Sequence, residues 1–188
     1  AGVEFLSEAL MSGECKLTKL FLNGNKPSNA AAAYLRDALK SGNCQLTELY
    51  LDNNKLTDAG AGYLSEALMS GECKLTKLFL RNNELSDAAM EYLRDALKSG
   101  NCKLTELHLD YNRLTYREII PLGEALTSGK CKLTKLFLRD NELSDAAAVY
   151  LSDALKSESC KLTELRLDDN ELTDAGVKFL SEALMSGK

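Results

Sequence analysis

A block with leucine at alternate positions, Leu-Thr-x-Leu-x-Leu, begins at Leu17, Leu46, Leu75, Leu104, Leu133 and Leu162, always 29 residues apart. A period of two predicts a short strand with one face buried. After each block comes a stretch whose apolar residues fall at helical spacing, as Ala61, Leu64, Ala67 and Leu68 do. Thr57, Ser86, Ser144 and Thr173 precede such stretches as N-caps, each followed by an Asp that favours a helix start. Gly71, Gly100 and Gly129 close them. Strand, turn, helix, turn and strand again predicts parallel strands with the helices on one side.

The repetition extends beyond leucine. Cysteines 15, 44, 73, 102, 131 and 160 keep the 29-residue step, and so do asparagines 25, 54, 83, 112, 141 and 170. A fixed period of this size predicts a solenoid. A second period of 58 lies over the first: Leu6–Leu22 is identical to Leu64–Leu80, and Tyr34–Cys44 to Tyr92–Cys102. Two unit types are therefore repeated as a pair. Ala1–Gly13 matches Ala175–Gly187 except for Glu4 against Lys178. Both ends thus lie inside a helical segment and neither has a polar cap, which fits a segment of a longer array or an engineered array. One domain over 1–188 is expected, six 29-residue units plus a terminal helical half-repeat.

Composition narrows the function classes. The chain has 188 residues, 23 Lys+Arg, 28 Asp+Glu and a net charge of −5. That balance argues against a nucleic-acid binder. No apolar run reaches the roughly 18–20 residues of a membrane helix, and the first residues lack a secretory signal. One histidine, no Gly-rich phosphate loop, no Gly-x-Ser-x-Gly and no His-Glu-x-x-His leave catalysis without support. No metal, cofactor or small-molecule substrate is expected.

The motif L-T-x-L-x-L-x-x-N-x-L-[TS]-D-A, as in Leu75–Ala88, resembles the leucine-rich repeat. The helical 29-residue unit is similar to the ribonuclease-inhibitor-like subclass, also found in the C-terminal domains of NOD-like receptors. The resemblance implies an α/β solenoid, an open horseshoe with a six-stranded parallel sheet on the concave face and helices on the convex face. It further implies protein recognition, in the cytoplasm. Two units depart from the pattern. Pro27 replaces the leucine seen at Leu56 and Leu85, so the first turn is expected to pack less well. In the fourth unit Tyr116–Pro121 replaces the usual Asp-Ala-Ala stretch; the helix is expected to start later, near Pro121, leaving a bulge on the convex side.

Residues between the inward leucines point to the concave surface. One column reads Lys19, Glu48, Lys77, Glu106, Lys135, Glu164, a ladder of alternating charge at the strand spacing of about 4.8 Å. The next reads Phe21, Tyr50, Phe79, His108, Phe137, Arg166, expected as exposed aromatics that either bind a partner or stack on one another. Two more read Asn23, Asp52, Arg81, Asp110, Arg139, Asp168 and Gly24, Asn53, Asn82, Tyr111, Asp140, Asp169. These vary between otherwise near-identical copies, as a diversified binding face would. Phe21, Tyr50, Phe79, Arg81, His108, Tyr111, Phe137, Arg139 and Arg166 are the candidate partner-binding residues. The asparagines read as structural, bonding backbone groups where the chain turns from strand to helix. The cysteines, with no Cys-x-x-Cys pair, read as buried free thiols suited to a reducing compartment. A column of Lys74, Lys103, Lys132 and Lys161 could hold an anionic partner along one rim or be a solvated edge. The leading reading is a protein-recognition module; the alternative is a structural or autoinhibitory segment of a larger sensor with no ligand of its own.

Overall fold

The computed structural model describes residues 2–25 and 29–186. Helices and strands alternate: α1 (Gly2–Met11), β1 (Lys19–Phe21), α2 (Asn29–Lys40), β2 (Glu48–Tyr50), α3 (Asp58–Met69), β3 (Lys77–Phe79), α4 (Asp87–Lys98), β4 (Glu106–His108), α5 (Tyr116–Leu126), β5 (Lys135–Phe137), α6 (Asp145–Lys156), β6 (Glu164–Arg166) and α7 (Asp174–Met185). The strands form one open parallel sheet in sequence order, and every pair is in 29-residue register, as in Lys77↔Glu106. The middle leucine of each central strand, Leu49, Leu78, Leu107 and Leu136, is fully buried. Each such burial contributes about 1.5–3 kcal/mol. The helical stripes meet them from the other side, and the core runs the length of the array.

The turn out of each strand is held by the asparagine column. Asn112 Nδ2 donates to Leu109 O and to Leu80 O of the preceding unit, both at 3.0 Å, while its Oδ1 accepts from Asn83 N at 3.0 Å. Asn83 and Asn141 donate in the same way, and their Oδ1 atoms accept from Leu56 N and Asn112 N. The amide satisfies backbone groups of two units at once, which is the structural role expected of it.

The helix ends are held between units as well. Gly42, Gly71, Gly100 and Gly129 follow helices with φ between +73° and +82°, where a side chain is disfavoured. Glu158 takes this place in the sixth unit, and Ser157 there leaves the helix in an extended conformation instead. Three members of the lysine column bond the neighbouring unit rather than water alone. Nζ of Lys74, Lys103 and Lys132 donates to the glycine carbonyls of the preceding helix ends, Gly42, Gly71 and Gly100, at 3.2, 3.0 and 3.4 Å. A cation at a helix C-terminus is favoured by the helix dipole.

The helix starts differ from the expectation. Thr57, Ser86, Ser144 and Thr173 have the extended backbone of an N-cap, but only Thr173 of these four caps its own helix, accepting from Ala175 N. The hydroxyls serve the neighbouring unit. Ser86 Oγ and N donate to Asp58, and Thr173 Oγ1 and N donate to Asp145, at 2.6–2.8 Å. Thr57 and Asn29 pair in the same place. An acceptor at the start of one helix thereby holds the start of the next.

The fourth unit also corrects the sequence reading. Its helix starts at Tyr116, in phase with the others, and Pro121 lies inside it without a delayed start. Thr115 and Glu118 form a reciprocal capping box that sets the start, with Glu118 Oε2 accepting from Thr115 N at 2.7 Å. Ile119 and Leu122 are buried on either side of the proline. Each contributes about 1.5–3 kcal/mol, against roughly 3 kcal/mol for an interior proline. The expectation for Pro27 falls outside the described residues. No helix among the described residues is long and apolar enough to cross a membrane.

Candidate protein-interaction surface

The outward side chains of β1–β6 line up across the sheet because every register is 29. The charged column pairs as expected: Lys19 with Glu48 at 3.2 Å, Lys77 with Glu106 at 3.3 Å, and Lys135 with Glu164 at 2.7 Å. Exposed pairs of this kind contribute about 0–1 kcal/mol each.

The neighbouring column is a continuous ring stack. Phe21, Tyr50, Phe79, His108 and Phe137 lie with centroids 4.0–4.1 Å apart and planes within 21°. The expected exposure is therefore found only at one end: Phe21 is 61% exposed and Phe137 only 7%. Stacking consumes the ring faces, so each interior ring offers its edge alone. Arg166 closes the column beside Phe137 and is turned to Asp168 at 2.9 Å.

Two rings are tied to the charge ladder. Tyr50 Oη donates to Glu48 Oε2 at 2.7 Å. Burial first, and this bond second, push the Tyr50 phenol up to about 12, and the same bond holds Glu48 below the ordinary carboxylate range. His108 Nε2 lies 2.8 Å from Glu106 Oε1, and Nδ1 lies 3.7 Å from Asp110 Oδ2. Burial raises Glu106 and Asp110, but hydrogen bonding to His108, to Lys77 for Glu106 and to Arg139 N for Asp110 outweighs it, and both end below their usual range.

The third column divides into two roles that its sequence variation hides. Asp52 and Asp110 are buried and accept the backbone N–H of Arg81 and Arg139 at 2.9 and 3.0 Å, locking one unit to the next. Arg81 and Arg139 extend into solvent. Arg81 Nε reaches Asp110 at 3.3 Å, and Arg139 holds Asp168 and Asp169.

The fourth column, read as a varied binding face, also carries a backbone constraint. Gly24, Asn53, Asn82, Tyr111, Asp140 and Asp169 all have φ between +49° and +70°. Glycine, asparagine and aspartate tolerate this left-handed region, and the restriction to those types was the signal that could have revealed it. Tyr111 alone does not fit. Its ring lies between two guanidiniums, with Arg81 at 5.8 Å and Arg139 at 6.0 Å from the centroid. The next residue but one, Arg113, also has a positive φ, +58°, unlike its counterparts in the other described units. The candidate residues thus come together as two features: a ring stack along the middle of the sheet and an Arg81–Tyr111–Arg139 cluster at its edge.

Sequence and fold comparisons follow the same phase. A leucine-rich repeat family model matches residues 42–65, 100–117 and 158–181, three segments 58 residues apart, so the chain carries leucine-rich repeats. A search among curated proteins returned no match. Among solved structures, the chain is similar to an internalin from Listeria monocytogenes (22% identity, 90% of this chain and 39% of that one, TM-score 0.55). It is similar to the C-terminal domain of tropomodulin from Caenorhabditis elegans (18% identity, 99% and 93%, TM-score 0.57). It is also similar to actin-binding site 2 of leiomodin-1 (16% identity, 96% and 86%, TM-score 0.63). The chain spans about two-fifths of the internalin's length. At these identities the likeness is one of fold.

Proposed function

On this leucine-rich repeat frame, we propose that the chain is a cytoplasmic protein-recognition module, working as one unit over 1–188, that binds a protein partner through the concave sheet face. The observation that carries the reading is Tyr111. A large aromatic residue occupies a left-handed backbone position that the other five units fill with Gly, Asn or Asp, and its ring is held between two arginines. Strain kept at one place in a repeated frame marks a site with a use, and tyrosine and arginine are the residue types in which binding energy concentrates. Phe79, His108 and Phe137 form the centre of the surface beside that cluster, with Phe21, Tyr50 and Arg166 towards its ends. Leiomodin-1, with an actin-binding site on this fold, is a precedent for such a role. Six free cysteines, four of them buried, suit a reducing compartment. The 12-residue helix of most units supports the ribonuclease-inhibitor-like subclass. An enzyme is the weaker reading, since His108 is stacked on both faces and its nitrogens face Glu106 and Asp110.

The ring stack itself supports the alternative, a structural role for the aromatic column within a larger regulatory array, because each ring's best partner is its neighbour. Binding measurements with a partner captured on the intact chain separate the two. Tyr111→Asn keeps a residue that tolerates the left-handed region. It should leave melting unchanged or slightly raised while weakening binding by about 2 kcal/mol or more. Asp153→Ala on the helical side should change nothing. Unchanged affinity in both Tyr111→Asn and Arg139→Ala would refute the concave placement. Unfolding of Phe79→Ala would assign the stack to structure alone.

A further inference from the structure

The aspartates of the third concave column are not equally served. Asp110 has Arg81 Nε at 3.3 Å and His108 Nδ1 at 3.7 Å. Asp168 has Arg139 Nε at 3.0 Å and Arg166 Nε at 2.9 Å. In both, one guanidinium comes from the same column of the preceding unit. For Asp52 that residue is Asn23, and the ring beside it is Tyr50, whose hydroxyl goes to Glu48. Leu6–Leu22 is identical to Leu64–Leu80, and the identity breaks at this position, Asn23 against Arg81.

Asp52 is therefore left with half a set of partners. It is 8% exposed, and its Oδ1 accepts from Arg81 N at 2.9 Å. Among the described residues no ion pair reaches it, and Oδ2 has no bonded partner. Burial holds this carboxyl above the ordinary range although Arg81 and His108 pull the other way, whereas Asp110 ends below it. The space beside Asp52 is open. Arg81 leans towards Asp110 and the Tyr111 ring, and a pocket of about 420 Å³ remains between Asp52, Asn53, Arg81, Asn82 and Tyr111. Asn82 Nδ2 donates to Asn53 Oδ1 at 2.9 Å, which leaves Asn82 Oδ1 as a second acceptor on the lining. Two carboxylates, Asp52 and Asp110, thus share the one guanidinium of Arg81.

We propose that Asp52 and this pocket form the subsite of the concave face that takes an arginine side chain of the partner protein, in the place that Arg81 and Arg139 fill for the later units. The proposal rests on the concave-face reading. The frame itself shows the fit, because the same aspartate position receives a guanidinium in two of its three copies. A planar fork can bond Asp52 Oδ2 and Asn82 Oδ1 together, which the point charge of a lysine does less well.

The test uses the whole chain, labelled with nitrogen-15 and carbon-13, and a capped Gly-Arg-Gly peptide at constant ionic strength. Its control is the same peptide with citrulline, the uncharged isostere of arginine. The arginine peptide should shift the Asn53 and Asn82 amides saturably and lower the titration midpoint of the Asp52 carboxyl. Citrulline should bind about tenfold more weakly. Asn23→Arg, at an exposed position, installs the residue found at Arg81 and Arg139. It should lower the Asp52 midpoint with no peptide present and abolish the peptide shifts, with circular dichroism unchanged. Asp52→Asn keeps an acceptor for Arg81 N and should abolish the shifts as well. Equal binding of both peptides, or full binding by Asn23→Arg, would overturn the proposal. So would the absence of shifts at Asn53 and Asn82 with the peptide at millimolar concentration. The concave-face reading fails separately, when Tyr111→Asn and Arg139→Ala leave a captured partner's affinity unchanged. A partner weakened by those two variants and untouched by Asn23→Arg and Asp52→Asn would keep the face and refute this subsite.

Discussion

Two helix starts built on one frame solve the same problem in opposite ways. At the start of α7, Asp145 from the preceding unit accepts from Thr173 N and Oγ1 and from Gly176 N, at 2.6–3.0 Å. At the start of α5 the equivalent aspartate is Asp87, but Glu118 stands where Gly176 stands in α7. Thr115 turns to Glu118 within its own helix, at 2.7 and 2.8 Å. The first start is capped from the preceding unit, the second from within its own helix, with Glu118 also bonded to Asp87. A glycine makes room for the lateral bond; a glutamate fills that room and supplies the acceptor locally. The same helix boundary is thus reached by a between-unit contact or by a within-unit one, and the choice rests on one side chain.

The largest effect should come from closing the lateral space. A Cβ on Gly176 would meet Asp145 Oδ1 at 2.3 Å. Gly176→Val must expel that carboxylate from three hydrogen bonds and should lower Tm by about 5–10 °C in a thermal melt. No change would mean the lateral carboxylate is dispensable. Next, Thr173→Ala removes a hydroxyl bonded both to Asp145 and to its own helix, and should lower Tm by about 2–4 °C. A melt indistinguishable from that of the parent chain would leave the cap without value.

The third prediction concerns pH. Burial first, and hydrogen bonding with Asp87 second, hold Glu118 above the ordinary carboxylate range. Its favourable contribution is complete below the unfolded value of about 4.3 and is lost as pH rises through the folded value. Glu118→Gln removes that titration. Parent and variant should melt alike near pH 4, and the variant should gain on the parent towards pH 7. A constant difference between the two curves would show that the fold does not hold Glu118 above its ordinary range. The smallest effect belongs to Ser144. Tyr116 stands where an aspartate would receive its hydroxyl, and the Ser144 side chain makes no cap bond. Ser144→Ala should move Tm by no more than about 1 °C, against a clear loss for Ser86→Ala, whose hydroxyl reaches Asp58 at 2.6 Å.

The strands, their register and the buried leucines were legible because alternation and a 29-residue period admit one arrangement. The asparagine role was legible for the same reason. What escaped were the contacts that cross from one unit to the next at a polar position. Ser86 and Thr173 look like ordinary caps in one dimension, and only the fold brings Asp58 and Asp145 to their hydroxyls. The fourth helix was misplaced because Pro121 is a strong local signal, while Thr115 and Glu118, which override it, are a weak one. On the candidate surface, the residue types at the left-handed column carried the backbone constraint openly, yet they read as diversity. The ring stack was one of two open readings, and no composition argument could choose between them.

The asparagine amides have a consequence for how such an array can change over generations. Asn112 measures the distance to its own strand, at Leu109 O, and to the strand of the previous unit, at Leu80 O. A residue inserted between Leu109 and Asn112 would shift the amide away from both carbonyls together. Whole cassettes can be duplicated without disturbing either measurement. Each copy is thereby matched at this turn to the one before it.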